Sequence, residues 1–472
     1  MPPTGPALFF LASSFFLTLL LQRSYAINSD EGYTLNAAWQ VWNGMRMYDD
    51  FRQFVAPGSA YSVYLLWSVL GSPSYLAARL LSLVFSFSST TAVYLVLRRV
   101  GVRGINLAFS VFAWLVACPV YALLNHNSFS SFAATWFLLL FLRIAVPRTD
   151  RGPKLVDHAL VGAAAGVVFL FLQTKGLFLA LGAAAFAFSA GAKRREFRPG
   201  LALVGGFIVV VAPLFVIWSP ALLVRQWFVI PLTGNYLGHT GASVAIAIPS
   251  VLLTCGMGWV ALRRADRVLG ALAVTQAALL ACMSHNMEIH HLAINSFPAI
   301  IFASLVIHER LARNGGPARL SAEAAMAIVL AAFVVALVAT PVGRDFFTFS
   351  PLYVDILKRR PRPTLFSNRR VAEAHAIYAG PFLPGLYFEL KKKNPYFVSE
   401  TIVCNDDCQR RLLDQLSAVK PELAFFHYEM IRDLGYDQNS PVDLYFRQRY
   451  VGCHGQNYGG LIVRASDPSW CP

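Results

Sequence analysis

Stretches of roughly 17–25 mostly apolar residues, the length a helix needs to cross a bilayer, recur through the first three quarters of this chain. Eleven can be drawn, near 7–23, 75–97, 105–124, 129–146, 157–173, 176–191, 200–218, 243–262, 268–284, 291–307 and 322–341. The pair at 157–173 and 176–191 is short. Composition points the same way. Only 14% of residues are charged, against about 25% in a soluble domain, and mean hydropathy is +0.52. An ordinary cytosolic enzyme, a disordered chain and a disulfide-stapled miniprotein are excluded. The expected fold is an all-α polytopic membrane domain of about eleven transmembrane helices over residues 1–342.

The formal net charge is +15, which in a soluble chain would suggest nucleic acid. Here the basic residues gather in alternate loops: Arg98, Arg99 and Arg103; Arg143, Arg148, Arg151 and Lys154; Lys193, Arg194, Arg195 and Arg198; Arg263, Arg264 and Arg267; Arg310, Arg313 and Arg319. Such a bias marks cytoplasmic loops, so it is a topology signal and no nucleic-acid partner is expected. The N-terminus is then cytoplasmic and the C-terminal segment lies outside. The first span dissents, with Arg23 following it and no basic residue before it. Ser24-Tyr25-Ala26 resembles a signal-peptide cleavage site, but the positive n-region is missing.

The first outer loop, residues 24–74, is far longer than a connection requires. It predicts a helix after Asp30-Glu31-Gly32 with Leu35, Ala38, Trp39, Trp42 and Met45 on one stripe, suited to the membrane interface. Residues 59–70 are apolar but too short to span, which predicts an interfacial or re-entrant segment. From about 343 the apolar spans cease. Strand-like runs at 364–367, 396–403, 423–427 and 461–464 alternate with helix-like runs at 408–419 and 442–450. They predict an extracytoplasmic α/β domain over 343–472.

Four cysteines fall in that tail: Cys404, Cys408, Cys453 and Cys471. Two disulfides, Cys404–Cys408 and Cys453–Cys471, suit an outside domain. Free thiols or zinc are the alternatives, though the spacing is a poor match to paired metal knuckles. Cys118, Cys255 and Cys282 read as buried small apolar residues within or beside spans.

Acids facing outward in the membrane part are confined to Asp30, Glu31, Asp49, Asp50 and Glu288. Asp30 and Glu31 can be read as an acidic first turn favoured by the helix dipole, or as carboxylates for catalysis. Capping does not account for the second pair in Tyr48-Asp49-Asp50-Phe51. Asp30-Glu31-Gly32, Trp42-Asn43-Gly44, Tyr48-Asp49-Asp50-Phe51, Pro57 and Ala78-Arg79-Leu80-Leu81-Ser82 together resemble the GT-C glycosyltransferases. The resemblance is to the branch holding protein O-mannosyltransferases and the lipid A aminoarabinose transferase. It is strong over about residues 27–100 and looser beyond.

The resemblance implies a membrane enzyme that moves a sugar, with inversion, from a polyprenyl phosphate to an acceptor outside the cytoplasm. It makes Asp30 the catalytic acid-base residue, with Glu31 orienting the loop or binding a sugar hydroxyl. The aminoarabinose branch carries Lys-Pro-Pro near the end of this loop. This chain has Val55-Ala56-Pro57, so aminoarabinose is not expected as the donor.

Phosphate is a competent leaving group, so transfer needs cations at the departing oxygens and a base at the attacking hydroxyl. Arg79 and Lys175 are candidates for the phosphate, because charge at membrane depth is costly. Snorkelling to headgroups is the alternative for both. Asp49 and Asp50, and His290 and His291 in Ser284-His285-Asn286-Met287-Glu288-Ile289-His290-His291, are candidates for acceptor or sugar binding. Interfacial histidines or metal ligation compete, but the spacing is not that of a zinc motif. Asn125-His126-Asn127 reads first as a helix cap. No cofactor is called for, and a divalent metal finds no ligand pattern.

The expected partners are the lipid-linked donor, a glycan, lipid or protein acceptor, and membrane lipids. The expected location is a bacterial inner membrane with the C-terminal domain periplasmic, the outer segments holding no Asn-x-Ser/Thr sequon. A flippase or transporter of lipid-linked sugars, and a glycan ligase or polymerase, are the rival functions. A transporter should show mid-membrane charges and repeated halves.

Overall fold

A computed structural model describes residues 12, 14, 30–121, 124–146, 153–192, 196–233, 241–283, 289–314, 368–401, 404–428, 436–453 and 461–472. The expected spans at 7–23 and 322–341, the strand at 364–367 and the domain boundary near 343 lie outside them. The chain begins with α1 (Asp30–Trp42), α2 (Gly58–Leu70), α3 (Tyr75–Arg99), α4 (Gly104–Tyr121) and α5 (His126–Ala145). It continues through α6 (Leu155–Phe171), α7 (Gln173–Ala192) and α8 (Arg198–Ile217). A broken segment follows: α9 (Pro220–Val224), a π-helical turn (Arg225–Val229) and α10 (Ile230–Thr233). Then come α11 (Gly241–Arg264), α12 (Arg267–Cys282), α13 (Ile289–Ile294) and α14 (Phe297–Asn314).

Among the described residues, Tyr75–Arg99, His126–Ala145 and Arg198–Ile217 are long and apolar enough to cross a membrane. Gly104–Leu115, Leu155–Phe171 and Arg267–Cys282 are apolar but shorter. The expectation near 291–307 divides into α13 and α14, because the chain turns at Asn295 and Ser296.

Polarity in this helical body is inverted relative to a soluble protein. Val216 is 87% exposed and Leu262 84%, while Ser82, Ser86, Ser89 and Thr90 of α3 are buried. Between α4 and α14 buried polar groups pair across helices: Ser110 meets Ser304 at 2.5 Å, and Asn106 donates to the Ser304 carbonyl at 2.9 Å. In lipid an apolar exterior costs nothing, and buried polar atoms bind one another. Cys255 also faces outward, against the expectation that it is buried, because α11 turns that apolar surface outward. Gly162 and Gly166 let α6 and α8 touch, since a Cβ at either would strike Leu203, Phe207 or Val210.

Arginines of three basic loops meet at one end of the body. Arg99 donates to the Val146 carbonyl, Arg267 to the Ile144 carbonyl, and Arg143 pairs with Asp157. At the opposite end sit α1, α2 and the starts of α5, α7 and α13.

The C-terminal unit packs on that second end. It contains β1 (Ile377–Gly380), β2 (Leu423–Phe426), β3 (Val451–Gly452) and β4 (Ile462–Ala465) in the order β1-β2-β4-β3. The β1–β2 pairing is parallel and the other two are antiparallel. Helices α17 (Asp406–Val419) and α18 (Pro441–Arg449) flank the sheet, preceded by the short α15 (Arg369–Glu373) and α16 (Gly385–Glu389).

Of the expected strand at 396–403, the described residues 396–401 form none. The Phe397 carbonyl accepts from Arg52 N at 2.6 Å and its N–H donates to the Gln415 side chain, so this backbone is used up elsewhere. The structure links Cys404 to Cys408 and Cys453 to Cys471 as disulfides.

Helix α1 does not lie free in an interface. Leu35, Ala38 and Trp39 of its apolar stripe are buried. Trp39 Nε1 donates to the Lys392 carbonyl at 2.7 Å, and Trp67 of α2 stacks on Phe388 at 5.1 Å. The C-terminal unit therefore covers the aromatic face that a membrane surface was expected to take.

Candidate active site

Asp30 and Glu31 begin α1, and successive helical side chains diverge by about 100°. Glu31 turns inward, where its Oε1 accepts from Arg79 Nη1 at 2.8 Å and Oε2 from the Tyr75 hydroxyl at 3.3 Å. Both side chains of that ion pair are almost wholly buried, at 0% and 3% exposure. Asp30 turns the other way and accepts from Asn125 Nδ2 at 3.2 Å. The same Asn125 caps α5, its Oδ1 accepting from Ser128 N at 2.9 Å. One amide thus completes a helix terminus and holds a carboxylate.

Asn127, the second residue of α5, anchors a neighbouring set of contacts. Its Nδ2 lies 3.1 Å from His291 Nε2, and its carbonyl accepts from Lys175 Nζ at 3.2 Å. Lys175, only 1% exposed, also donates to Ser131 Oγ at 2.7 Å. Ser131 in turn donates to Asn295 Oδ1 at 2.9 Å, and Asn295 Nδ2 donates to the His291 carbonyl at 2.8 Å. Hydrogen bonds therefore tie α5, α7 and α13 together beside α1.

Tyr33, one turn after Asp30, stacks on Phe54 at 5.1 Å and meets the His126 ring edge-on at 6.5 Å. Beyond it lies Glu400 of the C-terminal unit, 1% exposed. Burial pushes its carboxyl up to about 8, opposed by the nearby Arg52 guanidinium.

The Tyr48-Asp49-Asp50-Phe51 turn packs against the end of α8 and the broken segment. Tyr48 adopts φ +69, the left-handed region, which is costly for an aromatic residue. It is held there because its hydroxyl donates to the Val55 carbonyl at 2.7 Å and accepts from Trp227 Nε1 at 3.0 Å. Trp218 Nε1 donates to the Met47 carbonyl at 2.9 Å. Asp49 pairs with Arg46, and Asp50 accepts from Arg46 N at 2.6 Å. Both acids line a cavity of about 410 Å³ between this turn, the broken segment and the C-terminal unit.

Chains of known structure share this arrangement of helices and terminal unit. ArnT of Cupriavidus metallidurans bound to undecaprenyl phosphate is 16% identical, with 99% of each chain covered and a TM-score of 0.65. Its apo form is 15% identical over the same shares, with a TM-score of 0.67. The fold is that of the GT-C glycosyltransferases. The archaeal oligosaccharyltransferase AglB of Archaeoglobus fulgidus, in complex with an inhibitory peptide and a dolichol-phosphate, is more distant. It is 12% identical, covering 98% of this chain and 74% of that one, with a TM-score of 0.52. No family model and no curated protein matches the chain.

Within this GT-C fold the structure ties Lys175 and His291 to Asn127 in one polar network and sets Asp30 on Asn125, two residues earlier in the chain. It sets Glu31 against Arg79 and leaves Asp49 and Asp50 on the separate cavity. The side chain of His290 lies outside the described residues. Sequence reasoning missed Ser131, Asn295 and Glu400 altogether and saw Asn125 mainly as a cap. Nothing local marks them: Glu400 is one acid among many in the tail, and Asn295 follows an ordinary apolar helix. Among the described residues no three His, Cys, Asp or Glu side chains converge as for a metal.

Proposed function

We propose that this chain is an inverting membrane glycosyltransferase that takes a sugar from a polyprenyl-phosphate donor and gives it to an acceptor outside the cytoplasm. The observation that carries the reading is that the first residues of α5 hold both Asp30, through Asn125, and the buried Lys175, through Asn127 and Ser131, in a GT-C fold. The neighbours support a lipid-phosphate donor, since one binds undecaprenyl phosphate and another dolichol-phosphate.

In this reading the acceptor hydroxyl attacks the anomeric carbon from the face opposite the phosphate. Asp30, oriented by Asn125, takes the hydroxyl proton as general base. Lys175 stabilises the departing phosphate oxygens, and no proton need be donated to them. Arg79, whose charge is matched by Glu31, braces the start of α1, so the pair contributes preorganisation and little net positive field. His291 holds Asn127 and through it the lysine. Residues 343–472 form the extracytoplasmic domain, periplasmic in a bacterial inner membrane, and the loops bearing the arginine clusters face the cytoplasm.

The test is Asp30→Asn in nanodiscs, assayed with radiolabelled polyprenyl-phosphate sugars and cell-envelope acceptors. Transfer should fall by about 10²–10⁴-fold with donor-lipid binding retained. Full activity in that variant defeats the assignment, and donor translocation without transfer by the wild type would favour a flippase. Gene deletion followed by mass spectrometry of envelope glycans should show the loss of one sugar-sized mass, which identifies donor and acceptor.

A further inference from the structure

We infer that the 410 Å³ cavity beside the catalytic helix binds the saccharide part of the acceptor, as a neutral polyhydroxylated ligand; this rests on the transferase reading above. Its size falls in the range of small-molecule sites, roughly 300–1,000 Å³, and it lies where two structural units meet, a favoured place for ligands.

The lining carries three guanidiniums, Arg52, Arg225 and Arg411, and three carboxylates, Asp49, Asp50 and Asp407. A phosphate or carboxylate would meet as many acids as bases, and a cation would meet the reverse. Sugar hydroxyls both donate and accept, so they satisfy a mixed wall of this kind.

Gln226 supplies an independent observation. It lines the cavity at 8% exposure, and its Oε1 meets no hydrogen-bond partner among the described residues. A buried amide oxygen left without a donor is costly, and a ligand hydroxyl is a donor. Gln226 also sits on the π-helical turn Arg225–Val229, a distortion frequent at functional sites. Phe397, also on the lining, offers a ring with Arg411 at 4.1 Å from its centroid.

The cavity wall is linked through the first loop to the start of α1. Arg52 on its wall precedes Phe54 by two residues, and Phe54 N donates to the hydroxyl of Tyr33, one turn from Asp30. The Cys404–Cys408 link closes the far wall, where Cys408 Sγ accepts from Arg52 Nη1 at 3.0 Å.

The experiment uses full-length protein in nanodiscs, with maltotetraose and chitotetraose as neutral probes, tetragalacturonate as an acidic one and a tetrapeptide as a non-glycan control. Titrations are followed by calorimetry. A neutral oligosaccharide should bind saturably, tighter than the acidic probe or the peptide. Gln226→Ala and the surface variant Arg411→Gln should each weaken it tenfold or more, and Asp30→Asn should leave it unchanged. No saturable binding of either neutral probe, preference for the acidic probe or the peptide, or unaltered affinity in Arg411→Gln overturns the inference. If the neutral probe binds as stated while the wild type transfers no sugar, the transferase reading fails and the saccharide site stands.

Discussion

Glu31 and Arg79 form an ion pair at 2.8 Å, sealed between α1 and α3, with the Tyr75 hydroxyl as an added donor to the carboxylate. Removing one partner leaves an uncompensated charge away from water, which costs about 3–5 kcal/mol. Arg79→Met and Glu31→Gln should each lower thermal stability in detergent by that order. The double variant should recover much of the loss. If either single change is silent in thermal unfolding, the pair is not a brace.

Lys175 should act on the donor and not on the fold alone. Lys175→Met keeps the length of the stem and removes the charge, so transfer should drop at least a hundredfold, with weaker binding of undecaprenyl phosphate. Lys175→Arg should rescue poorly, since a planar fork cannot reproduce the bonds to Ser131 and the Asn127 carbonyl. Wild-type affinity for undecaprenyl phosphate in Lys175→Met would remove the assignment.

Glu400 predicts a pH dependence of stability. Its carboxyl titrates near 8 in the folded chain and near 4.3 when unfolded. Between these values the unfolded state binds fewer protons, so stability falls as pH rises and levels off above about 8. The slope from this group alone is at most about 1.4 kcal/mol per pH unit. The charged and titratable neighbours are Arg52 and Tyr33. Glu400→Gln should flatten the profile and raise the unfolding temperature at pH 8.5. Superimposable profiles for the two proteins would show that Glu400 ionises freely.

The contact between α6 and α8 depends on glycine. Gly162→Leu places a side chain on the Leu203 backbone, so the helices must part. Loss of such packing typically costs 1–3 kcal/mol, readable as earlier thermal aggregation in detergent. Leu substituted at Gly205, which has open space around it, is the control and should be near neutral.

Reporter fusions test sidedness. Fusions after Arg103, Arg198 and Arg267 should report cytoplasm, and those at Gly58, Asn286 and Arg362 the outer side. A cytoplasmic signal at Arg362 is incompatible with transfer to an extracytoplasmic acceptor.

Much of this architecture is legible in the chain because its signals are local. A run of apolar residues commits to a helix within itself, so the ends of α3, α5, α6 and α7 fall close to the apolar limits drawn from sequence. Alternating arginine loops separate one end of the body from the other. The angle between neighbours on a helix already requires Asp30 and Glu31 to face different partners.

The identities of those partners are not local. Asn125 reaches Asp30 across 95 positions, and Arg52 reaches Cys408 across 356. Such contacts are chosen only when helices pack, because buried polar atoms in a dry interior must pair with whatever the packing brings near. That is why Lys175 meets Ser131, why Phe397 gives its carbonyl to the first loop, and why Glu400 lies near Arg52. Periodicity in the chain decided which residues would be inside, and the tertiary contacts decided what each one does there.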